Sequence, residues 1–344
     1  MIIIPKPNKT SYDQLKAFWP IILLNTLGKL IEKVIAERLQ FMVTSNDFIH
    51  LSQLGRLKFK STMDAGIVLT HIIWSGWAKG KSTSSLAFDI SQFFPSLNHK
   101  LLTLILEKVG LDSKVISFFA NYLVRRRTSY SYMLNDLSSP MFEVNVRVGQ
   151  GFALSPILSA LYLSLFLYIL EKHSKNLKIP ISILLFVDDG LIIAQNKSFD
   201  ISNSHLFYSY NVLSKLLDSF GLVIEYSKTE VFHFSRSQSF FNPPPLDFSL
   251  IRGPISRPKD TWKYLGFIFD CKLTFHKHID HYSNKAILTV KCMKLLGNSS
   301  QGINPFQNCL LYRCCILPIV LYSFQLWFYN KAPLLYHMRI LDKM

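Results

Sequence analysis

Two adjacent acidic residues lie inside an apolar stretch of the sequence. Asp188 and Asp189 follow the apolar residues 183–187 and precede Gly190 and the apolar residues 191–194. In a hairpin of low dielectric the two carboxylates would repel each other, and their burial is costly unless a cation neutralises them. The pattern therefore favours a bound divalent metal, although an Asp-Asp-Gly turn exposed at a hairpin tip has the same spacing.

A third acid and a glycine-rich turn come earlier in the chain. Asp89 follows the apolar run 86–88, and Phe94 comes five residues after it. Asp89 can add a carboxylate to the same site, or it can cap the helix that follows its strand. Gln150 stands between two glycines, and Gly151 opens an apolar helix. Glycines at this place let a ligand approach the backbone closely, but a plain tight turn explains them equally well.

Strand and helix patterns surround these residues and must position them. Short apolar, β-rich runs cover 85–88 and 181–187, and each run ends at an aspartate. Longer strand-like segments cover 222–234 and 262–269. Apolar periodicity predicts helices over 25–42, 98–123, 152–174, 198–220 (ending at Gly221) and from 276 onward. The expected fold class is therefore α+β, with two strands that deliver carboxylates.

The composition predicts a folded chain with an anionic partner. Of the 344 residues 49% are hydrophobic and 17% are charged, which supplies a sizeable core and excludes disorder of the whole chain. Lys and Arg number 38 against 22 Asp and Glu, so the formal net charge is +16. Such an excess suits either nucleic acid or an acidic membrane.

One segment is long enough to cross a membrane, but its composition argues against this. Residues 152–170 contain no charged side chain. Three serines and Pro156 favour a buried core helix, and we expect no membrane partner. The five cysteines have no C-x-x-C spacing and the first residues lack a signal-peptide pattern. We therefore expect an intracellular protein of the cytoplasm, the nucleus or both.

Two other ligand sites are conceivable. Residues 76–82 resemble a phosphate-binding P-loop, but only three residues separate the glycines where that motif has four. Cys271, His276, His278 and His281 could hold zinc, although their spacing matches no standard pattern and a polar helix entry explains them more simply.

The order of these features resembles the palm of reverse transcriptases, specifically those of non-LTR (LINE-like) retrotransposons. The matching features are, in chain order, Asp89, the Gln150-Gly151 turn with its helix, the Asp188-Asp189 hairpin, Ser227-Lys228-Thr229 and Tyr264-Leu265-Gly266. Residues 4–9 and 20–33 resemble the family's fingers motifs. Residues 53–65 resemble its stretch in which Gln-x-Gly precedes Ser/Thr-x-x-Asp-Ala.

The resemblance implies a right-hand polymerase fold, in which an antiparallel palm sheet carries the catalytic carboxylates. Residues 1–85 would form the fingers and 271–344 a partial helical thumb. Residues 86–270 would form the palm, with an inserted fingers segment at about 100–147 and a Pro-rich loop at 241–260. The chain is then interpreted as a truncated copy of a longer protein.

The resemblance also implies two-metal nucleotidyl transfer, in which dNTPs are added to a primer 3'-hydroxyl on an RNA template. Asp89 and Asp188 would be the principal ligands of Mg²⁺, or of Mn²⁺, and Asp189 the less direct third carboxylate. Hard oxygen ligands suit magnesium. Lys228 would act on the leaving pyrophosphate as an acid or a neutralising cation.

Residues that would bind the nucleotide follow from the same resemblance. Phe94 would lie under the sugar and exclude a ribose 2'-hydroxyl, so that dNTPs are selected. Gln150 and Gly151 would line the nucleotide pocket. Lys6 and Lys9 would hold the triphosphate from the fingers, or form part of a disordered basic end.

The implied partners are an RNA template, a DNA primer and dNTPs, while the oligomeric state is left open. Residues 125–127 and the Lys- and His-rich 272–294 would contact nucleic-acid backbones, although such runs are often only solvated faces. Two departures from the family pattern favour an alternative, a catalytically impaired nucleic-acid-binding remnant. Trp19 stands where the family usually has arginine, and Phe152 stands where it usually has serine and would crowd the pocket.

Overall fold

The architecture is taken from a computed structural model of the chain. It describes residues 2–7, 11–14, 17–55, 57–123, 126–128, 140, 142–144, 151–177, 181–236, 261–293, 295–296 and 302–328. Lys9, Gln150 and the predicted Pro-rich loop at 241–260 lie outside the described residues.

Strands and helices are mixed along the described residues. The strands are β1 (Ile2–Pro5), β2 (Phe18–Ile21), β3 (Ser82–Ser91), β4 (Arg126–Thr128), β5 (Phe142–Val144), β6 (Ile181–Phe186), β7 (Asp189–Asn196), β8 (Val223–Ile224), β9 (Glu230–Phe234), β10 (Thr261–Tyr264) and β11 (Phe267–Asp270). The helices as far as Met293 are α1 (Thr26–Ser45), α2 (Thr62–Ala78), the four-residue α3 (Phe93–Ser96), α4 (His99–Lys108), α5 (Ser113–Leu123), α6 (Ser155–Leu177), α7 (Phe199–Ser219) and α8 (His276–Met293). The shorter C-terminal helices are α9 (Pro305–Leu311), α10 (Leu317–Val320) and α11 (Phe324–Trp327). A 3₁₀ turn covers Tyr226–Lys228 and a π-helical turn covers Tyr312–Ile316.

The centre of the fold is an antiparallel sheet in the order β6-β7-β3, with β8 and β9 both paired to the far side of β3. Alternate residues of its strands point to opposite faces, so the sheet serves two cores. Ile192 packs on one face with the apolar side of α4, α6 and α7. Leu191 and Ile193 pack on the other face with α2, the β10-β11 hairpin and α8. The sheet is therefore fixed from both sides.

Several predicted elements are confirmed, with shifted ends. The first predicted helix begins after Asn25, whose side-chain oxygen accepts a hydrogen bond from the backbone N–H of Gly28 at 2.7 Å. Only part of its apolar stripe is covered: Leu39 is buried, whereas Leu27 is 66% exposed. The single helix predicted over 98–123 was wrong, because the backbone turns at Gly110 with φ +80° and separates α4 from α5.

Two strand predictions were wrong as well. The segment 222–234 is divided into β8, the 3₁₀ turn and β9. The segment 262–269 is a hairpin, because Leu265 and Gly266 both adopt positive φ and reverse the chain. Asp89 lies within β3, which continues to Ser91, and not after the end of a strand.

The long apolar segment is a core helix. Within the described residues one helix, at Ser155–Lys175, is long and apolar enough to cross a membrane. Of this apolar segment 67% is buried inside the fold. Leu158, Tyr162 and Phe166 are fully buried in the core that covers one face of the sheet. The prediction of a buried core helix is confirmed.

Candidate active site

The register of the central sheet brings the three predicted carboxylates together. Asp89 on β3 stands directly opposite Asp189 on β7. Asp188 lies in the turn between β6 and β7, and its carbonyl accepts a hydrogen bond from the backbone N–H of Ile90 at 3.1 Å. Strand β3 and the β6-β7 hairpin, which are far apart in sequence, thus place three acids at one end of the sheet.

The surroundings of Asp189 disfavour the ionised form of its carboxyl group. Burial raises the pKa of Asp189 to about 7, and the negative charges of Asp188 and Asp89 add to the effect while Lys228 opposes it. A carboxyl group in this state gains most from a nearby cation. The alternative of a freely solvated Asp-Asp-Gly turn is thereby disfavoured.

Lys228 brings a positive charge to the site, where it forms an ion pair with one of the carboxylates. The 3₁₀ turn places its Nζ against Oδ2 of Asp89, to which it donates a hydrogen bond. Burial lowers the pKa of Lys228, but the hydrogen bond and charge of Asp89, together with Glu225 and Asp188, outweigh this and raise it. Lys228 therefore stays protonated beside the acids.

A fourth acid, which the sequence did not single out, supports this arrangement. The backbone N–H of Glu225 donates to the carbonyl of Asp89 at 2.8 Å. The Glu225 carboxylate accepts hydrogen bonds from the hydroxyls of Ser91 and Ser227, at 3.3 and 2.8 Å. It thus holds the turn that carries Lys228. No sequence signal distinguishes Glu225 from an ordinary exposed glutamate.

Gly190 is a second residue that supports the site. In the sequence it was noted as the glycine of the Asp-Asp-Gly stretch. It stands opposite Phe88 in the ladder, and a Cβ atom at this position would lie 2.5 Å from Cε1 of the Phe88 ring. Only glycine lets the ring lie across β7 next to Asp189.

The predicted nucleotide-binding residues that the structure describes, Phe94, Gly151 and Lys6, lie on three separate segments. Phe94 is on α3 and packs at 5.4 Å from the ring of Phe93. Gly151 has φ +105°, and a Cβ on it would lie 3.2 Å from the carbonyl of Ile22. The glycine turn therefore meets the end of β2. Lys6 follows β1, and its backbone N–H donates to the carbonyl of Ala17 at 2.8 Å.

The two departures from the family pattern differ in their setting. Phe152 is 6% exposed and its ring lies 6.2 Å from that of Tyr122, so it is part of the core. The expectation that it crowds a pocket finds no support in this placement. Trp19 is 38% exposed on β2, opposite Ile4 of β1.

The chemistry of the donor set fits a hard divalent cation. Three carboxylates supply only oxygen ligands, and burial together with the two neighbouring carboxylates raises the pKa of one of them, Asp189. Among the described residues, no three His, Cys, Asp or Glu side chains are already arranged as a metal site. The zinc alternative fails separately, since both ring nitrogens of His278 are engaged, by the N–H of Ile268 and the carbonyl of Tyr322.

Comparison with known proteins agrees with these features. A family model described as "Reverse transcriptase (RNA-dependent DNA polymerase)" matches residues 4–269. The chain is 23% identical, over 94% of its length, to a probable RNA-directed DNA polymerase from transposon X-element of Drosophila melanogaster. It is 22% identical, over 89% of its length, to a retrovirus-related Pol polyprotein from the type-1 retrotransposable element R2 of Popillia japonica. It spans 34% and 41% of these two relatives.

The fold has a counterpart among solved structures. Apo telomerase from Candida tropicalis matches with a TM-score of 0.50 and 12% identity, over 91% of this chain and 53% of that one. This likeness concerns the fold alone, and with the family match it confirms the α+β right-hand polymerase architecture. The chain belongs to the reverse transcriptase (RNA-dependent DNA polymerase) family, with relatives among non-LTR transposons.

Proposed function

We propose that this chain is an RNA-directed DNA polymerase domain of a non-LTR retrotransposon, which adds dNTPs to a primer 3'-hydroxyl. The observation that carries the proposal is the register that sets Asp89 opposite Asp189, with Asp188 in the adjoining turn. The chain spans about a third of the X-element relative, and its activity as a separate protein is part of the proposal. An RNA template, a DNA primer and dNTPs are the proposed partners.

The family uses divalent metal ions, and we propose Mg²⁺, with Mn²⁺ as a substitute. Asp89 and Asp188 would hold it, and Asp189 would complete the negative charge of the site. When bound, two such ions activate the primer hydroxyl and stabilise the leaving pyrophosphate. The cores on both faces of the sheet fix β3 and β7, and these strands hold the carboxylates in place.

Lys228 pairs with a carboxylate in the structure, and we propose a second position for it near the substrate. In the structure it neutralises Asp89 through their ion pair. We propose that, where bound cations would neutralise Asp89, the ammonium group of Lys228 would turn toward the leaving pyrophosphate, where a protonated lysine stabilises negative charge. Burial lowers the pKa of Lys228, but its pairing with Asp89 raises it, so Lys228 is protonated before it would leave that carboxylate.

The remaining assignments concern the nucleotide and stay predictions. Phe94 is proposed to select against a ribose 2'-hydroxyl. Gly151 offers a backbone that a nucleotide can approach, and Gln150 is proposed to line the same pocket. Lys6 and Lys9 are proposed to contact the triphosphate.

The proposal is tested by extension of oligo(dT) on poly(rA) with dTTP and Mg²⁺ or Mn²⁺. We expect Asp188→Asn to lower incorporation by at least about 100-fold, because loss of a metal ligand removes several kcal/mol of transition-state stabilisation. Asp218→Asn, at an exposed acid near the end of α7, is the matched control and should leave incorporation unchanged. Equal incorporation by both variants would refute the assignment of the carboxylates.

A second candidate function is a nucleic-acid-binding remnant without polymerase activity. The observation that favours it is Trp19, an uncharged residue on the exposed part of β2 where the family usually has arginine. Such a remnant would bind an RNA–DNA hybrid with strong salt dependence but would not extend the primer.

A further inference from the structure

One family-like motif, Gln53-Leu54-Gly55, has no role in the function proposed above, yet it lies beside the carboxylate hairpin. The backbone N–H of Leu185 donates to the carbonyl of Ser52, and the N–H of Leu54 donates to the carbonyl of Leu185, both at 2.8 Å. These bonds make a parallel bridge on the outer edge of β6, the edge strand of the sheet. We name residues 50–55 the edge strap.

The end of the edge strap presses against the turn that carries Asp188. A Cβ atom on Gly55 would lie 2.7 Å from Cγ2 of Val187 and 2.8 Å from the carbonyl carbon of Phe186, and closer still to the backbone nitrogen of Val187. Gln53 is 2% exposed, and its side-chain oxygen accepts a hydrogen bond from the N–H of Gly55 at 3.1 Å. The position of Gly55 is thus fixed from its own side.

The turn needs such support, because its backbone is strained. Val187 has φ +63°, in the left-handed region that a β-branched residue strongly disfavours. Residues in such conformations persist only where the surrounding structure holds them. The edge strap bonds to Leu185, two residues before Val187, and contacts Val187 through Gly55.

The other end of the edge strap is anchored on α6. The backbone N–H of His50 donates to the hydroxyl of Ser164 at 3.1 Å. Nδ1 of the His50 ring accepts from the N–H of Ser52 at 3.1 Å, so a neutral ring carries its proton on Nε2. Nε2 lies 3.0 Å from Oε2 of Glu171 and donates to it. The strap is therefore held at both ends.

We propose that the edge strap is a positioning element that holds the strained Val187–Asp188 turn in the conformation in which the carboxylates bind metal. This rests on the proposed function, because it assigns to Gly55 and Gln53 a role in building the same site. Gly55 is a positioning residue, since it acts through Val187 and touches neither substrate nor ion.

The central test is metal binding by Gly55→Ala, with Gly80→Ala as the matched control. Gly80 has a positive φ (+66°), so an alanine there strains the backbone, but an added Cβ meets nothing within 4 Å, whereas at Gly55 it overlaps Val187. Both variants thus lose stability, and only the first displaces the turn. Mn²⁺ binding to the full chain is measured by electron paramagnetic resonance. Only the part of this binding that is lost in Asp188→Asn is assigned to the carboxylate site. We expect Gly55→Ala to weaken this part at least tenfold and Gly80→Ala to change it less than twofold.

A milder pair of variants covers the case in which Gly55→Ala does not fold. Glu171→Ala removes the anchor of His50, whereas Lys175→Ala removes the other partner of Glu171, an ion pair at 2.7 Å, and leaves His50 bound. We expect Glu171→Ala to speed hydrogen exchange of the Leu185 amide and to weaken Mn²⁺ binding two- to fivefold. Lys175→Ala should change neither, and Glu171→Gln should restore part of both.

The outcomes separate the two proposals. Folded Gly55→Ala or Glu171→Ala with wild-type Mn²⁺ binding overturns the role of the edge strap. Asp188-dependent Mn²⁺ binding in a wild-type chain that does not extend a primer overturns the proposed function alone. A wild-type chain without Asp188-dependent Mn²⁺ binding overturns both.

Discussion

At the scale of single residues, the site depends on a few positions where no other side chain fits. Asp89, Asp188 and Asp189 could be singled out from the sequence, because acids inside apolar runs need a partner. That Asp89 faces Asp189 could not, since cross-strand register depends on hydrogen bonds between distant segments. The ion pair from Lys228 to Asp89, and the support from Glu225, likewise depend on how the 3₁₀ turn folds against β3.

Gly190 gives a residue-scale prediction about packing. Gly190→Ala should lower the free energy of unfolding by about 2 kcal/mol, because the added methyl overlaps the buried Phe88 ring. Phe88→Leu in the same chain should recover part of the loss. The measurement is a double-mutant cycle by urea unfolding, and additive effects of the two substitutions would contradict the predicted contact.

At the scale of elements, the sequence predicted helices better than hairpins. The helix over 198–220 was predicted well, since its periodicity is long and Gly221 ends it with φ +74°. The β10-β11 hairpin was taken for one strand, because its buried aromatic residues form a nearly continuous apolar run. Its turn places a leucine in the left-handed region, a choice that no local pattern announces.

The junction between this hairpin and α8 gives a prediction about pH. Burial lowers the pKa of His278 to about 4, below its ordinary value of 6.5, although a hydrogen bond to the Tyr322 carbonyl opposes this. Between these values the unfolded chain binds more protons, so this contribution to stability is complete above about pH 6.5 and declines toward pH 4.

From pH 7 to pH 5 the decline should be about 2 kcal/mol in the free energy of unfolding. His278→Phe should remove it, whereas His281→Gln, at an exposed position of the same helix, should retain most of it, because the charge of His281 is only a minor cause of the lowered pKa. Urea unfolding at both pH values provides the measurement. An unchanged pH dependence in His278→Phe would show that His278 is not buried in its neutral form.

At the scale of the whole molecule, the carboxylates lie where one sheet is held between two cores. The net charge of +16 allowed either nucleic acid or a membrane as a partner, and the family match favours nucleic acid. The division into fingers 1–85, palm 86–270 and thumb 271–344 stays a prediction, and β3 enters the sheet at Ser82, a few residues before the expected palm. The edge strap could not be predicted, since the contact of Gly55 with Val187 joins segments that are far apart in sequence.

DNA synthesis directed by an RNA template is the most direct test of the proposed function. The chain is given an RNA of defined mixed sequence, an annealed DNA primer, all four dNTPs and Mg²⁺, and the product is sequenced. We predict a DNA strand complementary to the template, absent with Asp89→Asn. A chain that binds the hybrid but extends no primer, and gains extension only as Trp19→Arg, would contradict the account and identify a remnant.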